Sequence, residues 1–175
     1  MTRKEIGITA LLIGLLAGCH NTSRKVRFSV DSGRKVPVSV VNVADPATEK
    51  QLIGGFYKIE AKSWRWTGRE FVVSLLSPPG SKQKGAKLSL HFFFPEDHVA
   101  KLGPITLTAE IDDYSLSPET YSKGGEHCYI REIPAQALKM SVIPVIFSFD
   151  KAKPPNDVDG RELGAVVSLV SLTQN

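Results

Sequence analysis

The sequence has few cysteines, no hydrophobic run long enough to span a bilayer and none of the common catalytic motifs. Two cysteines are too few for a disulfide framework or a four-thiolate zinc site. The chain contains no Gly-x-Ser-x-Gly elbow, Walker loop, His-Glu-x-x-His or dinucleotide-binding fingerprint, and its four histidines are widely scattered. We therefore expect a non-catalytic protein without a cofactor.

The length and apolar content of the chain are sufficient for one folded domain. The chain has 175 residues, of which 42% are hydrophobic, and its formal net charge is +4. Domains of about 100–150 residues are the most common, and this apolar fraction is sufficient for a packed core. The composition therefore excludes a chain that is disordered throughout.

The first residues have the pattern of an export signal. Arg3 and Lys4 precede a mostly apolar run at residues 6–16, which is shorter than the roughly 20 residues of a membrane-spanning helix. Residues 16–19, Leu-Ala-Gly-Cys, resemble the lipobox of bacterial lipoproteins. That resemblance implies removal of residues 1–18 and lipid attachment to Cys19. An ordinary signal peptide or membrane anchor with a chance cysteine is the alternative.

The lipobox has consequences for the location of the protein. Residues 19–25 become a lipidated tether, and the protein is exported and held on a bacterial membrane by acyl chains. His20 stands where Gram-negative lipoproteins retained at the inner membrane tend to carry Asp, which favours the outer membrane, facing the periplasm or the surface. Cys128 is then left without an intramolecular partner, and we expect it to be an inert thiol within a strand.

Beyond the tether, residues 26–175 show the alternation of apolar and polar residues that is typical of strands. The predicted strands fall at residues 26–30, 36–40, from 52 onward, 71–76, 87–94, 105–111, 129–133, 142–149 and 163–172. Residues 78–85 predict an irregular loop, and residues 95–103 and 134–140 predict short helical turns. Many short strands separated by turns predict an all-β fold, an antiparallel, jelly-roll-like β-sandwich with one or two helical turns.

Aromatic residues are concentrated at residues 54–71. On a strand, Trp64 and Trp66 share one face, while Arg65 and Thr67 share the other. Indole rings stack on the apolar C–H faces of sugars, and Arg and Glu hydrogen-bond hydroxyl groups, so this composition suits a carbohydrate platform. Packing of both indoles in the core is the alternative. In an intermediate arrangement, one tryptophan lies in the core and the other lies at the rim of the sandwich.

A second polar segment spans residues 150–164. Asn156, Asp157 and Asp159 are potential oxygen ligands for structural calcium, although no acidic residue closes an EF-hand loop. A solvated turn is the alternative interpretation. Arg161 and Glu162 could instead pair with the segment that contains the tryptophans.

Three ordered segments, within residues 55–71, 102–107 and 159–172, resemble a recurrent bacterial module found beside glycosyltransferases and other surface-polysaccharide proteins. That module is similar to carbohydrate-binding β-sandwiches, and the resemblance covers roughly residues 50–174. It implies a non-catalytic module that binds glycan or polysaccharide. The candidate ligand-binding residues are Tyr57, Glu60, Trp64, Arg65, Trp66, Arg69, Arg161 and Glu162.

Basic residues surround the loop at residues 78–85 and the tether. Such clusters can bind nucleic acid, but an exported lipoprotein rarely meets it, and near a lipid anchor they favour anionic headgroups. We therefore expect a membrane and a glycan or envelope protein as partners, and no nucleic acid. The alternative function is a structural lipoprotein that binds a protein partner in the envelope and no small ligand.

Overall fold

The computed structural model describes residues 36–175, and strands dominate this part of the chain. The strands are β1 (Val40–Asn42), β2 (Leu52–Glu60), β3 (Trp64–Leu76), β4 (Ala86–Phe94), β5 (Ile105–Ile111), β6 (Tyr114–Tyr121), β7 (Gly125–Ile133), β8 (Val142–Phe149) and β9 (Val166–Thr173). The helices are α1 (Ser81–Lys84) and α2 (Glu96–Leu102), with 3₁₀ turns at Glu49–Gln51 and Ala135–Ala137. The predicted signal peptide, Cys19, the tether and the strand at residues 26–30 lie outside the described residues.

All neighbouring strands in the described chain are antiparallel. The main path runs β6-β5-β8-β3-β9-β4-β7, with β1 added to β9 and β2 added to β3. Strand β3 connects two halves of this path, because residues 70–76 pair with β8 whereas residues 65 and 66 pair with β9.

The path folds over so that its two halves face each other. Phe149 of β8 lies 5.4 Å from Phe94 of β4 between ring centroids, although two strands separate β8 from β4 in the path. Phe71 of β3 stacks on Phe147 of β8 at 5.0 Å. Apolar residues from both halves form one buried cluster, so the fold is an antiparallel β-sandwich of jelly-roll type, as the alternation predicts.

The predicted alternation is confirmed in most strands. In β4 the apolar side chains at alternate positions are almost completely buried: Leu88, Leu90, Phe92 and Phe94. Helix α2 is also confirmed, with Pro95 preceding its first residue and Gly103 ending it at φ 72°, a conformation that glycine adopts without strain. Among the described residues, no helix combines the length and the apolar character needed to cross a membrane.

Two local predictions are wrong: the strand at residues 36–40 and the irregular loop at residues 78–85. Val36 and Val38 precede β1 and are exposed. The residues of this segment that enter the core are instead Val41 and Val43. The segment at residues 78–85 is not entirely irregular, because it includes the single turn of α1.

Strand β6 was not predicted. It carries Pro118, which cannot donate to a ladder, and only two of its side chains are buried. Proline is tolerated there because β6 ends the path and its pairing with β5 shifts register between Leu107 and Ala109.

Candidate functional site

One row of outward side chains crosses four adjacent strands. Trp66 of β3 pairs with Val166 of β9, which pairs with Phe93 of β4, which in turn pairs with Glu126 of β7. Directly paired residues in antiparallel strands have Cβ atoms about 5 Å apart, so these four side chains lie side by side. The row therefore runs from an indole, over two apolar side chains, to a carboxylate.

The row forms the floor of a surface groove of about 570 Å³. Trp64, His91 and Ser168 also line the groove, and Phe93 is 38% exposed within it. Ser168 reaches this surface because a register shift in the pairing of β4 with β9 leaves it as the extra residue opposite His91. The groove thus combines exposed aromatic surface with a few polar groups, which is the usual composition of a small-molecule site.

Among the described residues that line the groove, the ionisable side chains are one glutamate and two histidines, His91 and His127. None of these described residues is Lys or Arg, and Glu126 is the only carboxylate. The Glu126 carboxylate is exposed and makes no hydrogen bond or ion pair within residues 36–175. It is therefore free to interact with a ligand.

Stacking holds the Trp66 indole in place. His98 of α2 lies between Trp66 and Phe94, with centroid distances of 5.9 and 6.1 Å and interplanar angles of 24° and 21°. Burial holds the pKa of His98 below its ordinary value, so the stacked imidazole is favoured in its neutral form. Trp64 meets Trp66 edge-on at 6.4 Å and 84°, so the two indoles form a corner and not one flat surface.

The predicted separation of the two faces of β3 is confirmed. Trp64 and Trp66 point outward and are half-buried, while Arg65 and Thr67 are buried on the other face. The Arg65 Nε donates to the carbonyl of Val43 at 2.7 Å, and Nη1 donates to the carbonyl of Tyr57 at 3.1 Å. Its Nη2 forms an ion pair with Glu49. Arg65 therefore has its donors occupied inside the protein and does not line the groove.

Other predicted site residues form a cluster beside the groove, which we call the clasp: Tyr57, Glu60, Asp159, Arg161 and Glu162. Arg161 binds Glu60 at 2.7 Å and Asp159 at 2.9 Å, and its guanidinium lies 5.2 Å from the centroid of the Tyr57 ring. The Tyr57 hydroxyl donates to the carbonyl of Glu162 at 2.8 Å. The clasp fastens the loop before β9 to strand β2, and these contacts occupy the groups that were predicted to face a ligand.

Arg69 is separate from both groups. Its backbone N–H donates to the Glu162 carboxylate at 3.1 Å, while its side chain is exposed and lies outside the groove. The predicted pairing of Glu162 with the tryptophan segment is thus present, through the backbone of Arg69.

Glycines allow the tryptophan segment and the loop before β9 to lie close together. Gly164 donates its N–H to the carbonyl of Thr67 at 2.7 Å and packs on Gly68. Gly55, at φ 76°, lies against the backbone of Glu70 and Phe71. Two of the three segments that resemble the bacterial module therefore meet at close backbone contacts and at the clasp.

The loop proposed as a calcium site is a turn held by its own side chains. The Asn156 Oδ1 accepts from the N–H groups of Val158 and Asp159 at 2.9 and 3.0 Å. Both carboxylate oxygens of Asp159 bind Arg161, which lowers the pKa of Asp159. Within residues 36–175, no three His, Cys, Asp or Glu side chains are placed to hold a metal ion.

Cys128 lies in β7, as predicted, directly opposite His91 of β4. Its Sγ is 3.6 Å from Nε2 of His91. Desolvation, with a smaller contribution from Glu119, raises the pKa of the thiol, so its reactive thiolate form is disfavoured.

The sequence did not indicate the groove residues outside the tryptophan segment, among them His91, Phe93, Glu126 and Ser168. One signal was available. Phe93 occupies an outward position in a strand whose inward face is already filled by alternate residues, so the pattern places its ring on the outer surface of the sheet.

No family model and no curated protein matches the sequence. Two solved structures each match part of the chain at low identity. The xylan-binding domain CBM22-2 of Paenibacillus barcinonensis Xyn10C is 15% identical at a TM-score of 0.37, over 78% of this chain and 98% of that one. A structure of CBM51-2 in complex with GlcNAc and INT domains from Clostridium perfringens ZmpB is 11% identical at a TM-score of 0.34. The match covers 78% of this chain and 28% of that one. Both TM-scores are too low to support an argument about ligand or activity.

Proposed function

We propose that this protein is a lipid-anchored, non-catalytic envelope protein whose β-sandwich binds a glycan in the aromatic groove. The observation that supports the proposal is the partial exposure of Trp64, Trp66 and Phe93 along one continuous groove. Three aromatic side chains that face solvent together form an apolar patch, and such patches on a soluble domain mark binding surfaces.

The corner formed by the two indoles suits a sugar ring. Trp66 offers a face along the floor, and Trp64 stands almost perpendicular to it. A pyranose has apolar C–H faces and a polar rim, so a ring stacked in this corner directs its hydroxyls toward the polar edge of the groove. His91 and Ser168 line the groove and can exchange hydrogen bonds with hydroxyl groups, and Glu126, three strands from Trp66, can do so with a further unit of the glycan.

Most residues of the groove lie on strands, and the stack of Trp66 on His98 holds one of its main contact surfaces in place. A preorganised site loses less side-chain entropy when a ligand binds, which favours affinity for a ligand that offers few contacts.

Substitution of the aromatic residues tests the glycan proposal. On an array of envelope glycans, we expect Trp64→Ala and Phe93→Ala to abolish retention of the protein while the melting temperature changes little, because both side chains are partly exposed. Ile130→Ala is the matched control, since Ile130 is an exposed apolar residue of β7 outside the groove.

Retention by both aromatic variants would refute the groove as a glycan site. If the wild type binds no glycan and crosslinking instead recovers one protein partner through Trp64 and Phe93, the alternative function as a protein-binding lipoprotein is supported.

The lipid anchor is proposed from the lipobox sequence and is tested separately. We expect Cys19→Ala to abolish incorporation of labelled palmitate and to release the protein from the membrane fraction, because the thiol is the acylation site. Cys128→Ala is the control that should keep the label. Density separation of inner and outer membranes then tests the proposed outer-membrane location.

A further inference from the structure

We propose that the groove selects glycans that carry free amino groups, such as glucosamine units, over N-acetylated or acidic glycans. This inference rests on the proposed glycan-binding function and specifies the chemistry of the ligand. It follows from the arrangement of charge and aromatic surface in the groove.

The first argument is the carboxylate of Glu126. It stands at the end of the row that begins at Trp66, immediately beside Phe93. It has no partner among residues 36–175, whereas Glu60, Glu49 and Glu119 are each paired with an arginine. An unpaired carboxylate beside a sugar stacked on Phe93 attracts an ammonium group and repels a uronate or a phosphate.

The second argument is the aromatic surface itself. The faces of Trp and Phe rings carry negative potential and attract cations, with Trp the strongest. Phe93, the neighbour of Glu126 in the row, therefore attracts an ammonium group together with that carboxylate, while Trp64 and Trp66 attract ammonium groups on units of the glycan farther along the groove. Neither lysine nor arginine is among the described lining residues, so His91 and His127, when protonated, are the lining side chains that would oppose this attraction.

N-acetylation removes the ammonium charge from the sugar. The neutral acetamide keeps the stacking of the ring but loses the interactions with Glu126 and with the ring faces. A partly exposed charge pair together with a cation–π contact increases affinity about fivefold to tenfold. We therefore expect a glucosamine hexamer to bind about tenfold more tightly than its N-acetylated counterpart.

Isothermal titration of the wild-type protein with three hexamers tests the inference. The ligands are the glucosamine, N-acetylglucosamine and galacturonate hexamers, at a pH where the glucosamine amines are protonated. We expect Glu126→Gln, which removes the charge pair but keeps the cation–π contact, to weaken binding of the glucosamine hexamer about twofold to fivefold and to leave binding of the N-acetylated hexamer unchanged. Glu132→Gln is the matched control, because Glu132 is an exposed residue on the same face of β7 but outside the groove.

The outcomes separate this inference from the proposed function. If the N-acetylated or galacturonate hexamer binds as tightly as the glucosamine hexamer, or if Glu126→Gln has no effect, the selectivity is refuted while glycan binding stands. If none of these hexamers and no envelope glycan on the array binds the wild type, the proposed function itself fails.

Discussion

Gly164 packs so closely on Gly68 that a methyl group on Gly164 would collide with the Gly68 carbonyl oxygen. The contact lies where the chain enters β9, just after the clasp and beside the position at which β3 changes partners from β9 to β8. Because Trp66 is two residues from Gly68, this close approach helps to bring Trp66 next to Val166 and thus to build the floor of the groove.

The glycine contact predicts a large effect of a single methyl group. Gly164→Ala forces a backbone shift in β3 or in the loop before β9, and overpacking of this kind costs about 1–3 kcal/mol. Urea denaturation should therefore show a lower free energy of unfolding. The control is Gly160→Ala in the same loop, where an added Cβ meets no atom within 4 Å. Equal stability of the two variants would show that the contact at Gly164 leaves room for a methyl group.

Arg65 is predicted to stabilise the fold without contributing to ligand binding. Arg65→Met leaves the carbonyls of Val43 and Tyr57 without their donors, which costs about 1–3 kcal/mol for a buried acceptor. Urea denaturation measures this loss, and Lys58→Met, an exposed change on β2, serves as the control. Glycan affinity per folded molecule should equal that of the wild type. A variant that folds normally but loses glycan would place Arg65 in the ligand site.

His98 predicts a dependence of stability on pH. Its pKa in the folded protein is below the value of about 6.5 of a free imidazole, chiefly because of burial. The charges of Lys153 and Lys101 also lower this pKa, and the charge of Asp97 raises it. The stability from neutral His98 is complete above pH 6.5 and is lost as the pH falls toward the folded pKa, by at most about 1.4 kcal/mol per pH unit.

The His98→Phe variant isolates this effect. Phenylalanine keeps an aromatic ring between Trp66 and Phe94 but cannot be protonated. The loss of unfolding free energy between pH 7.5 and pH 5.5 should therefore be smaller in the variant than in the wild type. Urea titrations at the two pH values measure the difference. An equal loss in both proteins would mean that His98 does not titrate differently on folding.

Much of the local structure was predictable from the sequence. Alternation with a period of two identifies most strands and the inward face of β4, and it separates Trp64 and Trp66 from Arg65 and Thr67. Proline and glycine at the ends of α2 indicate its limits. Strand β6 escaped prediction because a terminal strand buries few side chains and tolerates a proline.

The candidate site was only partly predictable. The concentration of aromatic residues pointed to Trp64 and Trp66, which do line the groove. The charged residues beside them in sequence were expected to face the ligand as well. Glu60 and Arg161 instead bind each other at 2.7 Å, because opposite charges at partly buried positions lower their free energy by pairing.

The sequence by itself determined which residues of each strand share a face, because that parity follows from the geometry of an extended chain. It also contains the Leu-Ala-Gly-Cys sequence at residues 16–19, whose resemblance to a lipobox is the basis of the proposed anchor. Only the tertiary structure decided that Val166 lies between Trp66 and Phe93, and that Glu126 completes the row. These neighbours come from strands far apart in the chain, and their pairing depends on how the whole core packs, which no local pattern records.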